Sequence, residues 1–453
     1  MKSFKYLSQN GFLIKPIVQT ISIKPIISKQ NIIQFLNINK RNYTTNKYLY
    51  SCGCGIDGKL GIDNELVKFE SFPTKLTKFD NGENNGASQR YQDNLECKDI
   101  VCGHYHTMLV SKEKDQLYSC GWTSFVAMDR VNKETNFKSI IPSLVTPLKD
   151  FKIKQVAGGR RHTLVLTEDF RVFSFGVGSE YQLGVGSTEN QPLPVEIESL
   201  SKLGNIIKLE CGWGHSLVLT SDGDIFTWGF TQDSQTGHGF SEEPIHIPKM
   251  IKTNYKFKNI FTGSDFNLAI TNDGRVCSWG SGEFGQLGHG DTKNVEAPKL
   301  IQSIQPLVHT NLINTNRIYE YKMVACGFSH ALIIDNDGKL LTLGWNGNGQ
   351  LGSGVKGDNH LVPTKLEFDF DGEKVVKVSA GRNHSACITE SGKLYIWGNG
   401  NKGKLGNGKS VGDQLTPLEL IDIDENNTDP SNQKVLNISC GFDHTIIELL
   451  LNE

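Results

Sequence analysis

The sequence of 453 residues lacks the features that mark a membrane protein, a disulfide-rich protein or an enzyme with a recognisable catalytic motif. It contains no stretch of roughly 18 apolar residues, the length that a membrane-spanning helix needs. Its ten cysteines are scattered and only Cys52 and Cys54 lie close together, so neither a disulfide framework nor a metal-binding cluster is indicated. It has no Walker-type phosphate loop, nucleophile elbow or zinc-protease motif. We therefore expect no covalent catalysis, no cofactor and no membrane span.

Acidic residues are missing from the N-terminal segment, and the first one in the chain is Asp57. Residues 1–43 carry seven basic residues, separated by aliphatic, amide and hydroxyl side chains and interrupted by two prolines. A secretory signal would have one compact apolar run instead. A basic segment of this kind is typical of mitochondrial presequences, which the membrane potential draws inward, and Arg-Asn-Tyr at 41–43 suits a processing site. We predict that 1–43 is a disordered presequence, cleaved in the mitochondrial matrix; a basic tail is the alternative.

The rest of the chain is acidic. Residues 44–453 contain 40 basic and 49 acidic residues, which gives a net charge of −9. Affinity for nucleic acid comes mainly from the neutralisation of phosphates by Lys and Arg. The charge balance therefore argues against a protein that binds nucleic acid broadly.

Glycine is abundant, at 47 residues, and much of it belongs to a repeat. A loop of the form small-Gly-x-x-His recurs six times, and a seventh loop has Phe266 in place of the histidine; we call all seven the His loops. The six with histidine are Cys102–His106, Gly158–His162, Cys211–His215, Cys326–His330, Ala380–His384 and Cys440–His444. The spacing of 51 to 64 residues indicates a repeat architecture in which neighbouring units pack on one another.

Each repeat has the pattern of four short strands. In the clearest unit the predicted strands are 375–379, 385–389, 393–397 and 416–420. They are joined by a His loop, a Ser-Gly turn and a Gly-rich loop of the form G-x-x-G-x-L-G. Short β-branched and aromatic runs bounded by Gly, Asn and Asp are typical of strands. Seven four-stranded units indicate a seven-bladed β-propeller.

The two ends of the chain fall on different strands of the repeat. The chain opens on a third strand near Tyr48 and ends on a second strand near Leu449, so one blade must combine both termini. Such pairing closes the ring without a free sheet edge. We predict an all-β, seven-bladed propeller of four-stranded antiparallel blades over residues 47–453, closed by pairing of N-terminal and C-terminal strands in one blade. Long polar loops are expected at 80–96, 302–321 and 422–434.

The segment SWGSGEFGQLGHG at 278–290, together with the His loops, closely resembles the regulator-of-chromosome-condensation repeat family. The resemblance runs from about Leu49 to the C-terminus, although the unit at 122–130 lacks the G-x-L-G loop and the fourth unit has Gln-Thr-Gly at 235–237 in its place. Members of this family act as exchange factors for GTPases, as photoreceptors or as scaffolds, and the fold does not choose among them. A photoreceptor would need clustered tryptophans on its interaction face, where only Trp213 is found.

In the family's exchange factor for Ran, the working surface is the face that carries the His loops. The resemblance therefore implies that partner-binding residues lie at the two variable positions of each loop. The candidates there are His104, Tyr105, Arg160, Arg161, Trp213, Asp265, Phe328, Arg382, Asn383, Phe442 and Asp443. The exchange factor's wedge follows the Trp-Gly of a middle blade, and Asp233 is the corresponding candidate here. Mixed aromatic and charged residues favour a protein interface, and solvated loops without a partner are the alternative.

The loop histidines are expected to be structural. These are His106, His162, His215, His330, His384 and His444. They occupy the same position in six different blades, so they cannot converge on one metal ion, and we predict no metal site. We expect each imidazole to hydrogen-bond backbone atoms within its own blade.

These patterns favour a monomeric protein-interaction propeller of the mitochondrial matrix, and guanine-nucleotide exchange on an organellar small GTPase is its most specific form. One alternative is an RNA-binding or ribosome-assembly factor, which Arg160, Arg161 and Arg382 support and the acidic body opposes. Another is a scaffold with no exchange activity.

Overall fold

The structure is a computed structural model that describes residues 45–64, 67–84, 89–92, 94–122, 138–239, 242–304, 321–421, 423–424 and 432–452. The predicted presequence at 1–43 lies outside these residues. So do most of the loops predicted at 302–321 and 422–434, and most of the unit at 122–130.

The described residues contain thirty strands in seven sheets. The first eight are β1 (Thr45–Cys54), β2 (Phe69–Lys75), β3 (Phe79–Asn84), β4 (Gln89–Gln92), β5 (Cys97–Cys102), β6 (His106–Ser111), β7 (Leu117–Trp122) and β8 (Lys138–Leu144). The next eight are β9 (Ile153–Gly158), β10 (His162–Thr167), β11 (Val172–Gly176), β12 (Gln191–Glu196), β13 (Ile206–Cys211), β14 (His215–Thr220), β15 (Ile225–Gly229) and β16 (Ile245–Met250). The next eight are β17 (Phe257–Thr262), β18 (Phe266–Thr271), β19 (Val276–Gly280), β20 (Val295–Leu300), β21 (Tyr321–Cys326), β22 (His330–Asp335), β23 (Leu340–Gly344) and β24 (His360–Lys365). The last six are β25 (Val375–Ala380), β26 (His384–Thr389), β27 (Leu394–Asn399), β28 (Asp413–Glu419), β29 (Gln433–Cys440) and β30 (His444–Asn452).

Helix is scarce in the part of the chain that the structure describes. One short α-helix, α1 (Glu198–Ser201), follows β12. Three single-turn 3₁₀ helices lie at Thr146–Leu148, Gln302–Ile304 and Asn401–Gly403. Among the described residues, no helix is long and apolar enough to cross a membrane.

The seven sheets form a closed ring, as the repeat predicts. Blades one to six begin with β5, β9, β13, β17, β21 and β25, and blade seven consists of β29, β30, β1 and β2. The first strand of each blade contacts the first strands of both neighbouring blades, including β29 against β5, so these strands surround a central axis. In blade seven β1 pairs antiparallel with β30 from Thr45 opposite Asn452 to Gly53 opposite His444. The predicted closure by the two chain ends is therefore confirmed.

Each blade's fourth strand carries a proline, a residue that cannot donate to a sheet ladder and is confined to edge strands or bulges. These prolines are Pro73, Pro142, Pro194, Pro248, Pro298, Pro363 and Pro417. In blades two to seven the fourth strand lies farthest from the axis, so a proline there discourages pairing with another sheet.

The predicted strands are displaced by up to three residues, and one predicted loop contains strands. The fourth strand of blade six is Asp413–Glu419, whereas 416–420 was expected. Within the loop predicted at 80–96, β3 and β4 form an antiparallel hairpin, and β3 also pairs with β8. Blade one therefore has six strands where four were predicted. The polar composition of this segment lacks the alternation of apolar and polar residues that indicates a strand.

The blades are packed together by large apolar side chains on their second and third strands. Trp228, Trp279 and Trp397 end third strands and are fully buried. Each indole N–H donates to the backbone carbonyl of a glutamine in the preceding blade's Gly-rich loop, as in the 2.8 Å bond from Trp228 Nε1 to Gln182. This satisfies the one polar atom of each buried ring.

The loop histidines hold neighbouring blades together, so the prediction that they bond within their own blade is wrong. In each case the imidazole Nε2 lies 2.9–3.0 Å from a side-chain oxygen at the second position of the next blade's second strand. The pairs are His106–Thr163, His162–Ser216, His215–Asn267, His330–Ser385, His384–Thr445 and His444–Thr107. The side-chain hydrogen bonds of these buried histidines run between blades.

The hydrogen-bond network also places a proton on Nε2 of five of the six rings, all except His106. The Ser216 hydroxyl donates its only proton to the Gln182 carbonyl at 2.8 Å, so it can only accept from His162. The side-chain NH2 of Asn267 donates to the Gln235 carbonyl, so the side-chain oxygen of Asn267 is the atom that faces His215. An amide oxygen can only accept, and His215 therefore donates to it. The Nδ1 atom of each ring is buried and has no hydrogen-bond partner among the described residues, so a second proton there would be unsatisfied and the rings are neutral. Burial is the main cause of their lowered pKa, which falls to about 3 for His162 and about 4 for His215.

The seventh interface shows what happens when the histidine is absent. Phe266 takes its place in blade four, and the facing position in blade five is Ala331 rather than a Ser, Thr or Asn. Both residues are fully buried in one apolar cluster. At this interface both the donor and the acceptor are replaced by apolar residues, so no buried polar group is left unsatisfied. Replacing only one of them would leave the other without a hydrogen bond and cost more stability.

This pairing predicts a strong coupling between His162 and Ser216. Ser216→Ala leaves the imidazole N–H without an acceptor, and we expect a loss of about 1–3 kcal/mol in the free energy of unfolding. His162→Phe should cost a similar amount. The double variant imitates Phe266–Ala331. We expect its loss in the free energy of unfolding to be smaller, by about 1 kcal/mol or more, than the sum of the losses of the two single variants. Urea unfolding of the four proteins measures the coupling, and strictly additive losses would contradict the assignment.

Candidate protein-interaction face

The seven His loops meet around the axis at one end of the propeller. Their backbones are linked from blade to blade, as in the bonds from His104 N to Gly159 O at 3.1 Å and from Trp213 N to Ser264 O at 2.8 Å. Adding a Cβ to Gly212 would place it 2.2 Å from the His215 ring and 2.9 Å from the Ser264 carbonyl, so the close approach requires glycine. The fixed loops direct their first variable residues toward the axis.

Six of these first residues pack against one another, and we call them the axial cluster. Its members are His104, Arg160, Trp213, Phe328, Arg382 and Phe442. They line a cavity of about 130 Å³ at the centre of the face. The structure therefore brings together half of the residues predicted for the site.

Trp213 is at the middle of the axial cluster. Its ring lies edge-on to His104 at 5.4 Å and to Phe328 at 5.2 Å between centroids. The Arg160 guanidinium stacks over the Trp213 ring at 4.0 Å, and Arg382 stacks over Phe442 at 4.1 Å. Cation–π contacts of this kind hold long side chains in one orientation. Trp213, Phe328 and Phe442 are half-buried, so part of each ring faces solvent.

His104 is neutral in this environment. Burial is the largest cause that lowers its pKa, to about 2, and the charges of Lys59 and Arg160 lower it further. The ring stacks on Phe442 with an interplanar angle of 24°. His104 therefore acts as an aromatic member of the cluster rather than as an acid or base.

The second variable residues turn away from the axis and contact the Gly-rich loop of the preceding blade. Lys59 lies over the Tyr105 ring at 5.7 Å, Gln235 donates to Asp265 at 3.3 Å, and Asn383 donates to Asn348 at 3.1 Å. These candidates belong to the same face but surround the axial cluster instead of joining it. Successive loop residues point in different directions, which the sequence pattern does not reveal.

Asp443 is held by two lysines of blade six. Lys404 Nζ lies 2.6 Å from one carboxylate oxygen and Lys402 Nζ lies 2.8 Å from the other. Burial alone would raise the pKa of Asp443, but the two lysines outweigh it and hold the pKa below its ordinary value. Asp443 is therefore ionised, and its ion pairs with Lys402 and Lys404 join blade six to blade seven.

Asp233 and Asp265 lie close enough to influence each other. Burial is the main cause that raises the pKa of Asp265 to about 6, and the charge of Asp233 adds to it. Asp233 is half-buried in the Gly-rich loop of blade three, where its backbone N–H donates to Gln235. The wedge candidate is thus part of the face.

Sequence reasoning missed Lys59, Lys402 and Lys404. In the G-x-x-G-x-L-G loops the position after the second glycine is glutamine in blades four and five, at Gln286 and Gln350, but Lys59 and Lys404 in blades seven and six. Both lysines are 2% exposed. A lysine at a position that the other repeats fill with a buried amide was the signal for a buried ion pair.

The ring of seven antiparallel blades and the convergence of the His loops on one face define a seven-bladed β-propeller. A comparison with family models is consistent with this class: the RCC1-like domain matches residues 48–447. The chain belongs to the RCC1-like domain family.

Individual proteins resemble the chain over most of its length. It is 32% identical to the ultraviolet-B receptor UVR8 of Arabidopsis thaliana over 308 residues, which is 67% of this chain and 64% of UVR8. It is 26% identical to the RCC1 domain-containing protein RUG3, mitochondrial, of the same plant, over 88% of this chain and 87% of RUG3. The chain spans less than two thirds of UVR8 and only 6% to 25% of three larger relatives.

A solved structure shows the same fold. Prp20p from Saccharomyces cerevisiae superposes with a TM-score of 0.71 at 21% identity and covers 91% of this chain and 93% of its own. The report of that structure describes binding of Prp20p to Gsp1p and histones.

Proposed function

We propose that the chain is a mitochondrial protein-interaction propeller that docks its partner on the His-loop face. The axial cluster carries this proposal. Aromatic and arginine side chains dominate the binding energy of protein interfaces when they cluster at the centre of a patch. Here Trp213, Phe328 and Phe442 occupy the centre of one face, and Arg160 and Arg382 are stacked on their rings.

The mitochondrial location has two independent supports. Residues 1–43 are basic and free of acid, as a matrix presequence would be. RUG3, which aligns with 88% of the chain, bears the word mitochondrial in its name.

The specific activity that we propose is guanine-nucleotide exchange on a mitochondrial GTPase. Exchange breaks no covalent bond, because it requires only that the face bind the nucleotide-free partner more tightly than the loaded one. The described binding of Prp20p, a propeller of this fold, to Gsp1p supports a protein partner, and Asp233 and Asp265 offer carboxylates beside the axial cluster.

Release of fluorescent GDP from purified mitochondrial GTPases tests this activity. With the correct GTPase we expect release at least ten times faster than the intrinsic rate, and we expect Asp233→Ala to remove most of the acceleration. Asp337→Ala, on an exposed turn at the other end of the propeller, is the matched control and should act like the unmodified protein. If no mitochondrial GTPase responds, the proposal of exchange activity is wrong, and the protein would then act as a scaffold that binds its partner on the His-loop face.

RNA binding is a second candidate, because Arg160, Arg161 and Arg382 form no ion pair with any carboxylate that the structure describes. The net charge of −9 outside residues 1–43 weighs against it. Crosslinking of the tagged protein to RNA in the organelle, followed by sequencing, distinguishes the two: a reproducible transcript favours RNA, and its absence favours the protein partner.

A further inference from the structure

Two arginines on the His-loop face share a cavity between blades two and three. The cavity has a volume of about 150 Å³, and its lining includes Arg160, Arg161, Val177, Glu180, Trp213 and Phe230. It is large enough for one side chain and opens beside the axial cluster, with which it shares Arg160 and Trp213.

The two arginines of this cavity have no ion-pair partner in the described part of the chain, although the charge of Arg160 lowers the pKa of Asp265. Arg160 and Arg161 form no ion pair with the described carboxylates, whereas Arg171 and Arg275 each pair with one. Arg160 Nε is buried and has no hydrogen-bond partner among the described residues. A buried guanidinium N–H without an acceptor is costly, and an arriving acceptor would remove that cost.

The lining is suited to a carboxylate. A guanidinium presents paired donors that match the two oxygens of a carboxylate, and Trp213 holds the Arg160 guanidinium in place at 4.0 Å. Phe230 and Val177 supply apolar walls that exclude water and strengthen the contact. Glu180 is the one acid of the lining, so two arginines leave a net charge of +1 for an incoming anion.

The two Gly-rich loops beside the cavity each contain a non-glycine residue with positive φ, as the loop of blade six does at Lys402. The second glycine of the G-x-x-G-x-L-G loop has positive φ in blades four to seven, but in blades two and three this position is Tyr181, at φ 57°, and Ser234, at φ 61°. A non-glycine residue in this conformation costs roughly 1 kcal/mol. These two loops flank the cavity and also contribute Glu180 and Phe230. Strained residues that persist are concentrated at functional sites.

We propose that this cavity receives an aspartate or glutamate side chain from the protein partner. An apolar residue of the partner, next to that acid, would pack on Trp213 and anchor it. The inference rests on the proposed function and names the chemistry of the partner. A protein carboxylate is favoured over RNA phosphate because the cavity encloses a single group and the surrounding body is acidic, whereas RNA needs a continuous basic track.

Zero-length carbodiimide coupling tests the proposal, because it joins an amine only to a carboxylate in direct contact. Arg160→Lys and Arg161→Lys, made separately in the full chain, keep the charge and introduce the amine. The partner is first recovered with the unmodified protein by proximity labelling in the organelle. We expect an amide between Lys at 160 or 161 and one Asp or Glu of that partner, and Arg161→Gln should weaken binding roughly 10- to 100-fold.

Arg275→Lys, whose position faces the opposite end of the propeller, is the matched control and should give no such amide. An amide only to the chain's own Glu180, or unchanged binding by an Arg160→Gln/Arg161→Gln variant that melts like the parent, would overturn the carboxylate proposal and leave the docking face intact. Recovery of no partner by the unmodified protein would overturn both. Ultraviolet crosslinking of a 12-nucleotide RNA at these positions would favour phosphate instead.

Discussion

Lowering the pH from 7.5 to 5 is expected to unfold the propeller or bring it close to unfolding. Six imidazoles are buried between blades in the neutral form, each with Nε2 bonded to the next blade. Burial lowers the pKa of His106 and His215 to about 4, and that of His162 and His330 to about 3. In the unfolded chain each would titrate near 6.5.

Stability falls with falling pH because the unfolded state binds more protons than the folded state. Below about pH 6.5 the unfolded state takes up a proton at each histidine and the folded state does not, so stability is lost as the pH falls. At pH 5 each of these four histidines lowers the free energy of unfolding by about 2 kcal/mol relative to pH 7.5, or by about 8 kcal/mol together. His384 and His444 shift in the same direction, mainly through burial, and add to the loss. A domain is stable by only roughly 5–15 kcal/mol.

Buried carboxyl groups oppose this loss in part. Burial raises the pKa of Asp265 to about 6 and raises that of Asp99, Glu210 and Glu448, so the folded state gains protons there as the pH falls. The histidines outnumber them, and the net effect is destabilising.

Urea unfolding followed by tryptophan fluorescence at several pH values measures the acid sensitivity. The His162→Phe/Ser216→Ala variant is the control, because it removes one titrating group and should reduce the slope by about 1.4 kcal/mol per pH unit below pH 6. Stability that stays constant from pH 7.5 to 5 would show that the imidazoles are not held neutral.

Trp213→Ala is expected to weaken partner binding by at least 30-fold. Removing the ring takes away the surface on which Arg160 is stacked and the edge contacts to His104 and Phe328. Truncation of a central aromatic in an interface commonly costs about 2 kcal/mol or more. Trp213 lies in a loop and is half-buried, so the blades should remain folded. Quantitative recovery of the partner by the purified protein measures the effect.

Ile207→Ala is the matched control for this experiment. Ile207 lies near the start of β13, at the opposite end of the same strand from the His loop of blade three, and its side chain is 40% exposed. Loss of an exposed apolar group there should leave the affinity unchanged. Equal weakening by both substitutions would indicate a general loss of stability rather than a docking surface.

The spacing of short motifs was sufficient to predict the number of blades, their strand count in six of seven cases and the closure by both termini. The hairpin of β3 and β4 escaped because its sequence is mostly polar and shows no regular alternation of apolar and polar residues. The inter-blade role of His162 escaped because spacing does not say which blade an imidazole reaches. Phe266 and Ala331 contained the missing signal, since donor and acceptor positions change together within one chain.

The candidate site was predicted as a set of loops but not as a geometry. The sequence placed Arg382 and Asp443 on equal terms, because both occupy variable positions of His loops. In the structure Arg382 is exposed and stacked on Phe442, whereas Asp443 is buried between two lysines. Which variable residue faces the axis depends on the loop backbone, and that is fixed by contacts between blades.

Hydrogen–deuterium exchange of the propeller, free and with its recovered partner, tests the central claim most directly. Binding on the His-loop face should slow exchange in the loops that carry Arg160, Trp213, Phe328 and Phe442, and leave the turns at the other end of the blades unchanged. Protection confined to those turns, such as 221–224 and 335–339, with none in the His loops, would contradict the account.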